Sequence, residues 1–366
     1  MTKQRLMLSL LAGLLMTGSM AVEVFAQDAA DTLPAHPLYA RLRPRINQEV
    51  KDPTAAPLPM WNGSFVYDGK TYNYTMVGKA PTTGKSTTVT TFIIPVAMAY
   101  TSGGTTTTFS PEQTLSNGQT VVENTIESPI FQTQDYTTFD GTDLGITQYE
   151  DAFQRGNFWG EIPKTKGSKY HVLLGQPKVK KLVTLNVPAG SGSVATEFGV
   201  KVGLADIDWF DSEIDPIITK LKLPVNSLPI FITYNVYLTQ GDCCIGGYHN
   251  YDGTYAYSYF TYVGTQGAFA QDVSALSHEA GEWLDDPLTN NAVACEVLEV
   301  GDPEEGFSKY GAEYGAFPYT LNGFTYHLQD LVYLEYFGAP ATTSVDGGAL
   351  SFHDNPFGLT ICSNGG

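Results

Sequence analysis

Positive charge, cysteine and long apolar runs are all scarce in this sequence, and each scarcity excludes something. Its 20 lysines and arginines face 38 aspartates and glutamates, a formal charge of −18 over 366 residues. Such an acidic surface repels nucleic acid and anionic membranes, so neither is expected as a partner. Acidity of this size is also an ordinary route to solubility, and by itself it points to no partner. There is no G-x-S-x-G segment, which removes the usual support for a serine hydrolase. Acids are plentiful, but no spacing among them marks a glycosidase pair. Only one apolar run stands out, 6–16, and it is too short to span a bilayer.

That run follows Lys3 and Arg5 and precedes small-residue cleavage sites ending at Ala21 or Ala26, so residues 1–26 are expected to be a signal peptide. No cysteine follows it until Cys243, which argues against a lipid-anchored lipoprotein. Cleavage after Ala26 removes Lys3, Arg5 and Glu23 and takes the formal charge from −18 to −19. The mature chain is expected to be secreted or periplasmic, without membrane insertion. In an oxidising compartment the four cysteines, Cys243, Cys244, Cys295 and Cys362, suggest two disulfides. Neighbouring cysteines rarely bond to each other because the small ring strains the peptide, so Cys243 and Cys244 are each expected to pair with Cys295 or Cys362. The C-C spacing does not suit a thiolate zinc site.

With 42% hydrophobic and 12% aromatic residues, the chain is long enough for two domains or one large one. Residues 27–60 are rich in proline, alanine and charge and read as an extended leader or pro-segment. From Trp61 the pattern is strand-like: 64–67 and 71–77 flank the turn Asp68-Gly69-Lys70, and 87–99 is a long β-branched, apolar run. A threonine- and glycine-rich loop is expected at 101–108, a weak strand at 120–122 and a short helix at 146–155. Further strands are expected at 170–174, 182–187 and 198–202. His171, in the first of these, reads as a face or core histidine. Asp215-Pro216 should open a helix that runs to Leu221. Pro229 to Thr239 is strongly β-forming, 240–253 reads as a glycine- and cysteine-rich loop, and 255–263 as an aromatic strand. The division expected from this is a β-rich domain or pro-region over 27–165, followed by a second domain over 166–366.

Immediately after that last strand lies the most informative stretch, from Asp272 to Pro287. Asp272 is a good N-cap, and the proline disfavours helix at the residue before it. At about 100° per residue Val273, Leu276, Ala280, Trp283 and Leu284 share one face. His278, Glu282 and Asp285 fall within roughly 60° on the opposite face, with Glu279 on its flank. A helix built this way can hold a metal ion.

His278-Glu279-x-x-Glu282 resembles the zincin metallopeptidases, and more specifically secreted bacterial proteins with H-E-x-x-E followed by Asp-Pro. The glutamate at 282 departs from the usual second histidine. The resemblance covers about 166–366 and implies an α+β fold: a zincin-like C-terminal domain of mixed sheet and active-site helix, preceded by the β-rich region. It implies His278 and Glu282 as metal ligands and Glu279 as the base that activates water. A third ligand is expected downstream, first Glu299, then Asp302, then His327, while Asp285 can brace His278. Zinc is expected, and the oxygen-rich ligand set also accommodates manganese or iron. The reading is an exported metal-dependent peptidase acting on a peptide or protein that adds to an edge strand. The alternative is a secreted, non-catalytic β-rich protein with a degenerate metal site that binds glycan or protein through Tyr248, Tyr251, Tyr255, Tyr257 and Tyr259.

Overall fold

Two β-branched and aromatic stretches, 87–102 and 227–240, build the centre of the protein. The computed structural model describes residues 58–67, 69–137, 141, 143–157, 169–292 and 316–329. The expected signal peptide, Cys295, Glu299, Asp302 and Cys362 lie outside these residues. In chain order come β1 (Met60–Tyr67), β2 (Lys70–Val77), β3 (Thr87–Ser102), β4 (Thr105–Phe109), α1 (Val121–Ile126), β5 (Gln134–Thr137), β6 (Asp143–Thr147) and α2 (Tyr149–Asn157). There follow β7 (Val172–Leu174), β8 (Lys178–Val179), β9 (Val183–Val187), β10 (Gly192–Glu197), β11 (Val200–Asp206) and α3 (Ile207–Leu221). Last are β12 (Ser227–Tyr234), β13 (Val236–Gln240), β14 (Asp242–Ile245), β15 (Gly247–Tyr251), β16 (Ala256–Tyr262), α4 (Ser274–Asp285), β17 (Ala316–Leu321) and β18 (Phe324–Gln329). The fold is α+β and rich in strands.

The principal sheet has the order β15-β16-β12-β3-β4, with β7, β8 and β9 pairing in turn along the length of β3. β3, β12 and β16 run parallel, and β15 closes the edge antiparallel to β16. Strand alternation assigns its two faces. Ile230 and Ile232 join Ile93, Phe260 and Tyr262 in one buried cluster, together with residues of α2 and α4. Phe231 points the other way and joins Ile94, Tyr257 and Tyr259 beneath Ile207, Phe210, Ile214 and Ile218 of α3. Helices cover both faces, which is why β12 and β16 are apolar or aromatic at almost every position. Residues on either side of the expected division near 165 share this sheet and its cores, because β3 pairs with β12 on one edge and with β7, β8 and β9 on the other. The described residues all belong to one compact unit.

Several local expectations change. Residues 240–253 are the strands β14 and β15 rather than a loop, and the turn at 252–254 is tied by Asp252 Oδ1, which accepts the Thr254 and Tyr255 N–H groups. The stretch 101–108 is mostly a hairpin, with Gly103 and Gly104 at positive φ between β3 and β4. The run read as one strand to Thr239 breaks at Asn235, whose φ of 52° sends β13 into a second sheet, β10-β11-β13-β14. Residues 121–126 form α1 and not a strand, because Thr120 and Glu123 make a capping box. α3 begins nine residues before Pro216, capped by Asp206, whose carboxylate accepts the Trp209 N–H at 2.8 Å. Its buried face, Ile207, Phe210, Ile214 and Ile218, has helical spacing and keeps the helix continuous through the proline. Cys243 and Cys244 are bonded to each other across a cis peptide, their Cα atoms 3.1 Å apart, in place of the separate pairings expected for them.

The cap of α3 can be tested directly. Asp206→Ala should lower the unfolding free energy by about 1 kcal/mol, read from the shift of the denaturant midpoint at unchanged slope.

Candidate metal centre

α4 lies under the sheet edge formed by β15 and β16, with β18, β2 and α2 on its other sides. The apolar stripe expected on one face is in the core: Leu276, Ala280, Trp283 and Leu284 are fully buried. The opposite face is buried as well. His278 and Asp285 are 0% exposed, Glu279 1% and Glu282 2%. The helix ends as the Asp-Pro dipeptide requires, with Asp286 at φ −141° and its carboxylate accepting the Asn290 and Asn291 N–H groups.

Its start differs from expectation. Asp272 is not the N-cap; it sits at φ 43°, and Val273 occupies the cap without a side-chain bond. Asp272 Oδ1 accepts the N–H groups of Val273 at 2.6 Å and His327 at 2.8 Å, and Oδ2 lies 2.6 Å from His327 Nδ1. His327, one of the three residues considered as a further ligand, is therefore held at the start of the helix. Glu299 and Asp302 lie outside the described residues.

The side chain that completes a donor set is His249 on β15. One donor atom each from His249, Glu279 and Glu282 lie within 4.8 Å of one another. His249 Nδ1 is 3.2 Å from Glu279 Oε2 and 3.7 Å from Glu282 Oε2. His278 Nε2 approaches the same cluster, 3.2 Å from Glu282 Oε1. Its Nδ1 meets Gln329 Oε1 on β18, whereas Asp285 turns to Gln154 Nε2 at 3.4 Å. Asp285 therefore does not brace His278.

Close packing makes this geometry possible. A Cβ at Gly247 would stand 2.8 Å from both Cγ and Oε1 of Glu279 and 3.0 Å from the backbone oxygen of Tyr259. Only glycine lets the strand come this near the helix. In the sequence, glycine and cysteine give 240–253 the composition of a loop, which hides His249. The signal was there: Gly247, His249 and Tyr251 alternate with Tyr248 and Asn250, ahead of the turn Asp252-Gly253.

No family model, curated protein or solved structure matches this chain. The chemistry of the site must come from its own groups. Burial raises the carboxyls of Glu279 to about 7 and Asp286 to about 6, and it raises Asp285 well above its ordinary value. For His249 burial works against the charged form, but the hydrogen bond and charge of Glu279, with Glu282 and Asp286, outweigh it and the net shift is upward. Buried atoms also remain without a hydrogen-bond partner, namely His249 Nε2, Glu279 Oε1 and Asp285 Oδ2. A buried set of imidazole and carboxylate donors with orphaned lone pairs fits a divalent cation.

Two outcomes follow. In chelator, Glu279, Asp286, Asp285 and His249 all have folded-state pKa values above those of the unfolded chain, so the folded state holds the extra protons. The contribution of these groups to stability is then fullest below about pH 4, near the unfolded carboxyl values, and is lost as pH rises through about 6 to 7. Thermal unfolding should show this fall, and a saturating divalent ion should flatten it by stabilising the ionised carboxylates. An identical pH profile with and without the ion counts against the centre. Gly247→Ala should push β15, and with it His249, away from Glu279 and α4, weaken ion binding and cost about 1–3 kcal/mol of stability, measured by metal titration and chemical denaturation.

Proposed function

We propose that this chain is an exported metal-dependent peptidase of zincin-like design. Its ion would be held by His278 and Glu282 of α4 with His249 of β15, and Glu279 would serve as the general base. The observation that carries this reading is the meeting of His249 with Glu279 and Glu282 in a buried cluster that His278 also enters. His249 answers the difficulty posed by glutamate at 282. Two imidazoles and one carboxylate are the donor combination of catalytic zinc sites, here with the second histidine supplied by the strand. Such a set leaves a divalent ion with net positive charge, which favours zinc over manganese or iron.

A zinc ion so bound would acidify its water and polarise a substrate carbonyl. Glu279, its proton affinity lifted toward neutrality by burial, is suited to take a proton from water and return it to a leaving amine. Among the described residues β15 is the edge strand of a mixed sheet and carries His249, so an extended peptide added along it would pass close to the centre. Among the described residues no helix is long and apolar enough to cross a membrane.

The alternative platform of exposed tyrosines has less support. Tyr248, Tyr257 and Tyr259 are fully buried, the first two donating to Asp211 and the third hydrogen-bonded with Thr233, while Tyr251 and Tyr255 are partly exposed.

Glu279→Gln should cut peptide hydrolysis by about 10²–10⁴ while the purified protein keeps its metal. His249→Ala and His278→Ala should each lower metal content measured by elemental analysis. Full hydrolysis by the Gln variant would remove Glu279 from the mechanism. Parent protein that carries no ion and takes none up in titration would end the reading.

A further inference from the structure

Gln329, the last residue of β18, is buried and held by its backbone from two sides. Its N–H donates to Ser277 Oγ at 2.8 Å, and its carbonyl accepts the Tyr149 hydroxyl at 2.8 Å. The first bond comes from the residue just before His278 and the second from α2, so the starting point of the side chain is set independently of its amide. From there Oε1 reaches His278 Nδ1. Across the ring, His278 Nε2 faces Glu282 Oε1 at 3.2 Å.

A neutral imidazole has one proton for two nitrogens. With an oxygen acceptor against Nδ1, the proton belongs there, and Nε2 turns its lone pair toward the Glu282 carboxylate. Two electron-rich atoms at that distance repel unless a cation lies between them. With the proton on Nε2 instead, His278 and Glu282 would close on each other in a hydrogen bond and no ion could enter at that nitrogen. The choice of glutamine also has a physical reason. An amide oxygen orients the ring without adding negative charge to a cluster that already buries Glu279, Glu282, Asp285 and Asp286.

We propose that Gln329 is a positioning residue that holds His278 in its Nδ1–H tautomer and so keeps Nε2 open to a divalent cation. The proposal rests on the metal reading of the site given above. Gln329→Met keeps the length of the side chain and removes the acceptor, while Gln329→Glu keeps an acceptor oxygen. Both leave the backbone bonds to Ser277 and Tyr149 in place.

The test uses the full chain labelled with ¹⁵N. With zinc bound, long-range ¹H–¹⁵N correlation reads which ring nitrogen of His278 carries the proton, and titration with zinc alone gives the affinity. The parent and Gln329→Glu should show Nδ1–H. Gln329→Met should move the proton to Nε2 and weaken zinc binding by about ten- to a hundredfold. An Nε2–H parent overturns the proposal without any variant. So does a folded Met variant with parental tautomer and affinity, or equal loss of zinc in the Met and Glu variants. A parent that binds zinc but is indifferent to Gln329 refutes this proposal alone, whereas a parent that binds no zinc refutes the metal site on which it stands.

Discussion

The structure depends on enclosing imidazole and carboxylate groups on α4 between a sheet edge and a hairpin. His278, Glu279, Glu282 and Asp285 are each almost wholly buried, and Asp286 follows at 0% exposure. Burying several acids together is costly unless protons or a cation neutralise them. The upward shifts of Glu279, Asp285 and Asp286 express that cost in the ion-free protein. Such a cluster is a poor way to gain stability and a good way to create affinity for positive charge.

Everything around the helix serves its placement. The apolar stripe of α4 packs on the face of β12 and β16 that carries Ile230, Ile232 and Phe260. At the sheet edge Gly247 admits Glu279 and His249 reaches across to it. Asn291 anchors the exit of the helix: its Nδ2 donates to the carbonyls of Thr75 and Asp285, and its Oδ1 accepts the Thr75 N–H. β18 closes the remaining side through Gln329 and, at the start of the helix, His327 with Asp272.

The long strand β3 links the two parts of the chain. One of its edges receives β7, β8 and β9 in succession, while the other pairs with β12 and then β4. Excising 27–165 as a detachable pro-region would remove the strand that lies against β12. The helix that carries the site would then rest on a sheet that had lost part of its centre.

Local sequence determined α4, its apolar stripe, its end before Pro287 and the H-E-x-x-E spacing, because a helix places residues by a repeat of 3.6 along the chain. It also determined the first hairpin, β3 and β16. Capping and spacing signals for α1 and α3 are equally present, in Thr120 with Glu123 and in Ile207, Phe210, Ile214 and Ile218, but a competing strand propensity and a conspicuous proline mask them. Tertiary structure alone decided which residues meet the helix. His249 stands 30 positions before Glu279, and Gln329 stands 51 after His278, as strand pairing and hairpin docking dictate. No periodicity along the chain encodes such meetings, since they arise when separate elements bury their faces on one core.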